Sequence, residues 1–291
     1  MKPSKKKIIR ILENFSKNYL GEFIYTSVLF LRYFNKFKRS IKRNKTNNKF
    51  SDQLDEINKF EYKITSQNNE DGIIDFIFTK VPNNKNFVEI GFGFYENNTL
   101  NLIKNGWTGI LIDLHNIENI LYKKFLNFFF PKSKFKIITE KITKDNINSI
   151  LRSNLDKLDI DFFSLDIDGN DYWILKNMEL ENIKCICLEY NHWIGKNKKK
   201  TIPYDENFVF IDNGYFGASL LAFHDLLKHK KFDLIAVESS GTNAFFINNK
   251  YSHLFEILDP VKSYKSSPYL YSEEKKKEIF SNIENHNFID V

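Results

Sequence analysis

Residues 87–98 read FVEIGFGFYENN. A run with strand character, Phe87 to Ile90, meets Gly91 and Gly93 and then a polar cluster. Glycine suits a turn whose backbone must come close to something else. That something is a nucleotide phosphate, a different cofactor, or only the next helix. The choice among the three decides how the rest of the chain is read.

From residue 51 onward the same alternation repeats. NFVEIGFG, TGILIDLH, FKIITEKI, IDFFSLDIDG and IKCICLEYN read as strands. DGIIDFIFTKV, NNTLNLIKNGW, IENILYKKFLNFF, KDNINSILRSNL, DYWILKNM and GASLLAFHDLLKHK have helical spacing. FDLIAVESSGTNAFFIN reads as two strands around Ser240–Gly241. Strands that alternate with helices imply a mostly parallel sheet covered on both faces. The closing hairpin has no helix in it, so its last strand is antiparallel. The expected fold is α/β, a doubly wound seven-stranded sheet. Residues 51–259 would form this domain, 1–50 a basic helical arm, and 260–291 a C-terminal extension with a helix at EEKKKEIFSNIE.

The charge is uneven. Of 43 Lys/Arg and 37 Asp/Glu, residues 1–50 hold 14 and two, a net of +12. The remainder, with 29 and 35, carries −6. Apolar residues at helical spacing in the arm (Ile8, Ile9, Leu12, Phe15, then Phe23 to Phe37) fit either a membrane-surface helix or a helix packed on the body or on a partner subunit. The acidic body and the absence of a recognised nucleic-acid module argue against nucleic acid. The run FIYTSVLFL falls well short of the ~20 residues needed to cross a bilayer. It comes late for a secretory signal and has no cleavage site after it. Cys185 and Cys187, two apart on one strand face, read as small core residues in a reducing compartment. The expectation is a cytoplasmic protein, with a peripheral inner-membrane contact through residues 1–50. Oligomerisation stays open.

In open parallel sheets, ligands bind beyond the carboxyl ends of the strands. Those ends carry Glu89 to Gly93, Asp113, Glu140, Asp166 to Asp171, and Glu189 to Asn191. One acid at a strand end is common; five polar ends in succession argue for a site. A dinucleotide fingerprint needs a third glycine at position 96, which is Glu96. A carboxylate there repels a pyrophosphate. Asp113 falls where an acid holds the ribose hydroxyls. A ribose without phosphate suggests S-adenosylmethionine (SAM).

Several ordered blocks then carry a resemblance. SQNNEDGIIDFIF, FVEIGFGFYENNTLNLIKNGWTGILID, DFFSLDIDGNDYWIL, EYN, PYD, GASLLAF and GTNAFFI look like a bacterial group of class I SAM-dependent methyltransferases. That group is related to FkbM-type O-methyltransferases and is associated with surface-polysaccharide genes. The resemblance covers roughly residues 60–250. It implies that Glu89, Gly91, Gly93 and Asn98 line the methionine end of SAM and that Asp113 holds the ribose. It also implies that Glu140 to Ile142 lie beside the adenine, and that Ser66, Gln67 and Glu70 close over the cofactor.

LDIDGND is the expected chemical centre. Asp166 and Asp168 share a strand face, and Asp171 follows closely. Crowded carboxylates raise one another's pKa unless a cation or donors compensate. Mg²⁺ is the natural cation for such oxygen ligands. Asp166, Asp168 and Asn191, with Glu189 as a further candidate, would hold it. This is similar to metal-dependent O-methyltransferases, but the chain has Glu-Tyr-Asn where they have an Asp-Asn pair. It also lacks a lysine three residues past Asp166. Asp168 and Asn170 could instead simply cap the next helix. His192 and Asp168 are the candidate bases. Trp193, beside the lid-like HWIGKNKKKTIPY, is the candidate substrate platform.

The expected reaction is methyl transfer to a hydroxyl of a sugar in a cell-surface glycan or its precursor. The rivals are an NAD-dependent nucleotide-sugar enzyme and a non-catalytic SAM- or glycan-binding scaffold.

Overall fold

A computed structural model describes residues 30, 33, 34, 37–39, 41–47, 54–94, 97–155, 159–266 and 271–291. Its frame is a set of strands: β1 (Asn86–Ile90), β2 (Thr108–Asp113), β3 (Phe135–Thr139), β4 (Ile160–Leu165), β5 (Ile183–Glu189), β6 (Lys200–Thr201), β7 (Phe232–Val237), β8 (Asn243–Asn248) and β9 (Ile289–Asp290). Seven of them form one sheet in the order β3-β2-β1-β4-β5-β8-β7. β1 to β5 run parallel. β8 inserts antiparallel between β5 and β7. The expected fold class is therefore observed. β6 and β9 pair as a small antiparallel ribbon that the sequence patterns did not signal.

The sheet is covered on both faces by α1 (Glu70–Lys80), α2 (Leu100–Lys104), α3 (Asn116–Phe129), α4 (Ile147–Asn154), α5 (Asp171–Asn177) and α6 (Leu220–His229). Strand periodicity assigns the faces. Val88, Ile90, Phe163 and Leu165 pack with Leu151 of α4, Ile174 of α5 and Phe223 of α6. Phe87, Phe162, Cys185 and Cys187 pack with Ile73 of α1 and Tyr122 and Phe125 of α3. β4 is buried at all six positions, as a central strand between two helical layers must be. Both cysteines are thiols in the core, as expected. The one acid in β4, Asp161, is paired with Lys184 at 2.7 Å.

The described flanking residues on both sides pack on this body. Residues 1–29 lie outside the described residues, so the apolar stretches there have no structural account. The described residues between 30 and 41 are helical. Phe37 is fully buried, with its ring centroid 5.6 Å from those of Tyr122, Phe125 and Phe129. Tyr33 stacks on Phe94 at 4.3 Å. At the other end, α7 (Glu273–Asn285) sets Ile279 and Phe280 against Trp193, and β9 pairs with β6. Trp193, the expected platform, is thus a packing residue. Among the described residues no helix is long and apolar enough to cross a membrane.

Burying a phenylalanine fully stabilises by about 2–3 kcal/mol, and removing it leaves a cavity as well. Phe37→Ala should therefore destabilise the whole chain by about 3–5 kcal/mol in urea unfolding. An unchanged midpoint would mean that residues 30–47 are a detached arm after all.

Candidate active site

β1 and β4 are neighbours, yet the chain leaves them in opposite directions, β1 toward β2 and β4 toward β5. An open sheet splits into a crevice at such a point. A cavity of about 590 Å³ lies there. Gly91 to Phe94 after β1, Asp113 to His115 after β2, Glu140 to Ile142 after β3, and Asp166 to Asn170 after β4 line it. Gln67, Glu118 and Asn119 add to the wall. Tyr204, Glu206 and Phe208 face it from a flap that continues beyond β6.

The glycine turn approaches two things. Gly91 has φ +78°, and a Cβ there would stand 1.7 Å from the backbone oxygen of Asp166. The Asp166 amide donates to Ile90 O at 3.0 Å, and the Gly91 amide to Ile112 O at 2.9 Å. Gly91 thus closes against the end of β4, with its other side in the cavity. Gly93 also lines the cavity, and its carbonyl accepts from Asn97 Nδ2 at 3.0 Å. Glu96, on which the argument against a pyrophosphate rested, lies outside the described residues.

Of the expected cofactor residues, Gln67, Gly91, Gly93, Asp113 and Glu140 line the cavity. Glu89, Asn98, Ser66 and Glu70 stand behind its wall, each held by other protein groups. Glu89 accepts from the Asn98 amide at 2.9 Å and from the Thr99 hydroxyl, at the head of α2. Burial pushes its pKa up to about 7 against those two bonds. Asn98 donates to Ser164 Oγ at 3.1 Å. Glu70 accepts from the Asn68 amide and Asn243 Nδ2, both at 2.7 Å. Ser66 donates to Asp71 at 3.0 Å, and Asp71 also gathers the amides of Ile64, Thr65 and Ser66. These four support the loops that carry the lining residues.

Asp166, Asp168 and Glu189 bring carboxylate oxygens within 4.8 Å of one another. Asn191 is not part of this group. Its amide donates to Gly214 O and Phe216 O, both at 2.8 Å, and its oxygen accepts from the Trp193 amide. All its hydrogen-bonding groups are occupied by backbone, so Glu189 takes the position given to it. Asp171 turns away to accept from the amides of Ile167 and Gly169 at 3.0 and 2.9 Å, which fixes the loop that carries Asp168. Asn170 ties that loop to the flap, donating to Asp205 O at 2.7 Å. His192 does not line the cavity. Burial pushes its pKa down to about 4, so it is a poor base.

Burial raises the pKa of all three clustered acids. Asp166 and Glu189 lie well above the ordinary carboxylate range. After burial, Asp168, Asp171 and Glu89 raise Asp166 further while its hydrogen bond with Glu189 lowers it, and Asp166, Asp168 and Asp171 raise Glu189. Burial first, then Asp171 and Asp212, raise Asp168 to about 6. Asp168 also holds φ +57°, a left-handed conformation that Asp tolerates better than most residues but that is strained. The group is thus an oxygen-rich corner that can hold a proton near neutral pH or accept a hard cation.

Three lining residues were not named as site residues from the sequence, although Tyr204 stands in the PYD block. Asn119 uses its amide on Asp113 O (2.9 Å) and Thr139 Oγ1 (3.0 Å), leaving a buried oxygen without a partner. Tyr204 presents a buried hydroxyl that is likewise unpaired. Phe208 covers Gly169 closely enough that a Cβ there would meet its ring at 2.6 Å. Asn119 sits inside a helix and the other two inside a flap, where neither spacing nor composition distinguishes a ligand contact.

No family model matches the chain. A curated tRNA(Ile)-lysidine synthase from Mycoplasma mycoides subsp. mycoides SC is 30% identical over 232 residues, 78% of this chain and 51% of that protein. The chain therefore spans about half the length of the curated relative it matches. Among solved structures, similar ones include a SAM-dependent methyltransferase from Clostridium acetobutylicum ATCC 824, at 12% identity and TM-score 0.40 over 61% of this chain and 89% of that one. Another is the magnesium protoporphyrin IX methyltransferase of Synechocystis PCC 6803 with bound SAM, at 7% identity and TM-score 0.42 over 77% and 96%. The fold itself rests on the strand order described above.

A carboxyl whose pKa is raised on folding favours the folded state at low pH. For Asp168 that contribution is complete below its ordinary value near 3.8 and is lost as pH rises through about 6. Asp168→Asn keeps the shape and tolerates the backbone conformation. Above pH ~6 it should be more stable than the parent by on the order of 2 kcal/mol in chelator-containing buffer, and the difference should close toward pH ~4. Equal stability across that range would mean that the carboxylate is already compensated.

Proposed function

We propose that the chain is a SAM-dependent O-methyltransferase acting on a hydroxyl of a sugar in a cell-surface glycan or its precursor. The charge of the cavity carries this reading. Asp113, Glu118, Glu140, Asp166, Asp168 and Glu206 line it, with Lys141 and His115 the basic groups beside them. Such a wall repels a pyrophosphate, which weighs against NAD. It suits a cofactor with a sulfonium and an ammonium against a single carboxylate. The volume also suits a nucleoside-sized ligand. The resemblance of the motif blocks to glycan-associated methyltransferases supports the acceptor class.

The cofactor supplies an electrophilic methyl group on a sulfonium. Asp113 Oδ1 accepts from the His115 amide at 2.7 Å, while Oδ2 makes no hydrogen bond among the described residues and is available to the ribose hydroxyls. Ile142 offers an apolar surface for the adenine, with Tyr204 across from it on the flap. The acceptor hydroxyl would stand over Asp168. Its oxygen would take the methyl group, leaving the cofactor as S-adenosylhomocysteine, and the Asp168 carboxylate would accept the hydroxyl proton. Asp166 and Glu189, both raised well above the ordinary carboxylate range by burial, lie within 4.8 Å of the Asp168 carboxylate. Alignment and exclusion of water by the flap supply much of the rate. A second reading has Mg²⁺ on the three carboxylates, favoured by their mutual distance within 4.8 Å.

S-adenosylhomocysteine at ~100 times its Kd should stabilise the chain by about 2.7 kcal/mol, seen as a rise in Tm. NAD should give no rise, and Asp113→Ala should abolish the effect of S-adenosylhomocysteine. With an accepted sugar substrate, Asp168→Asn should slow transfer roughly 100-fold or more while cofactor binding persists. A rise with NAD alone would overturn the cofactor. Cofactor binding with no transfer to any sugar-nucleotide or lipid-linked sugar would favour a scaffold. Loss of transfer in EDTA with recovery in Mg²⁺ would select the metal reading.

A further inference from the structure

α3 has one exposed stripe, touched from outside the helix at Phe128, by Phe34. Its exposed positions are Asn116, Ile120, Lys123, Lys124, Asn127 and Phe128. They recur at i, i+4, i+7, i+8, i+11 and i+12, a single helix face. That face holds two lysines, two large apolar residues and no acid. Phe128 is 69% exposed and Ile120 48%.

The stripe continues onto the neighbouring chain. Phe34 packs on Phe128 with centroids 6.2 Å apart, and Phe30, itself 36% exposed, stacks on Phe34 at 5.6 Å. Beyond these, Lys38, Arg39 and Lys42 are exposed, and no acid lies among the described residues from 30 to 47. The result is an apolar ridge flanked by cations on both of its helices. The rest of the chain is acidic on balance, so this concentration of one sign on one face stands out.

We infer that this face docks on an anionic bilayer. Apolar side chains flanked by Lys and Arg are what an interfacial surface needs. The rings and the isoleucine enter the headgroup boundary, while the ammonium and guanidinium groups meet lipid phosphates. The docking surface thus belongs to the folded body, through α3, and not to the first residues of the chain alone. It also has an orientation. Leu114 and His115, exposed at the head of α3, line the cavity. A helix of 14 residues is about 20 Å long, so docking along α3 brings the cavity mouth close to the lipid surface, where a lipid-linked acceptor would lie. That last step rests on the methyltransferase reading; the docking itself does not.

The test is co-sedimentation of the full chain with phosphatidylcholine vesicles, with and without phosphatidylglycerol. The parent should bind only when phosphatidylglycerol is present. Phe128→Glu and the pair Lys123→Glu/Lys124→Glu should each weaken that binding roughly tenfold or more, with Tm and the S-adenosylhomocysteine shift unchanged. Lys277→Glu, on α7, is the control and should bind as the parent does. Parent protein that ignores both vesicles would overturn the proposal, as would equal binding to both. Variants of α3 that bind as the parent does would also overturn it and move the contact to residues 1–29.

Discussion

The close approach of Gly91 to the carbonyl of Asp166 is the contact on which the site depends. It lets β1 and β4 lie side by side up to their carboxyl ends, where the sheet changes direction. Any side chain at Gly91 would push the two strand ends apart. Those ends supply the floor of the cavity on one side and the carboxylate corner on the other. The glycine is therefore explained by the sheet before any ligand is considered. Sequence alone could not separate that role from a ligand contact, because both require the same missing Cβ.

Much of the fold was legible because strands and helices in this chain alternate with strong periodicity. The doubly wound sheet and its antiparallel β8 followed directly. What escaped was set by long-range packing. For the stretch holding Phe37 the sequence left a membrane-surface helix and a helix packed on the body both open, and only the long-range contacts show the ring inserted among Tyr122, Phe125 and Phe129. β6 and β9 are two-residue strands that exist only because the C-terminal chain returns to them.

At the site, residues at strand ends were legible and their orientations were not. Asp113, Asp166 and Asp168 were found because topology places strand ends at the cavity. Glu89 and Asn191 have the same address and turn the other way, as does Asn98 at the head of α2. A side chain's direction depends on which donors reach it, and those donors come from distant parts of the chain. Gly214, which holds Asn191, is an example. Asn119 shows the converse: a helix residue turned to the cavity because Asp113 O and Thr139 hold its amide.

The same hydrogen bonds bear on the proposal that the crevice takes a ligand without phosphate. Helix N-termini around a doubly wound crevice normally offer unpaired amides and positive potential to an anion. Here the chain supplies its own anions. Glu89 takes the Asn98 amide at the head of α2, and Asp113 takes the His115 amide at the head of α3. Asp171 takes the Ile167 and Gly169 amides before α5. With these donors engaged, the remaining carboxylates face the cavity without a matching set of cations. Raised pKa values at Asp166, Asp168 and Glu189 are the local consequence. A ligand that brings positive charge relieves that strain, and one that brings phosphate increases it. On the proposed reading, selection for such a cofactor would arise from how the loops are capped as much as from the residues that touch it.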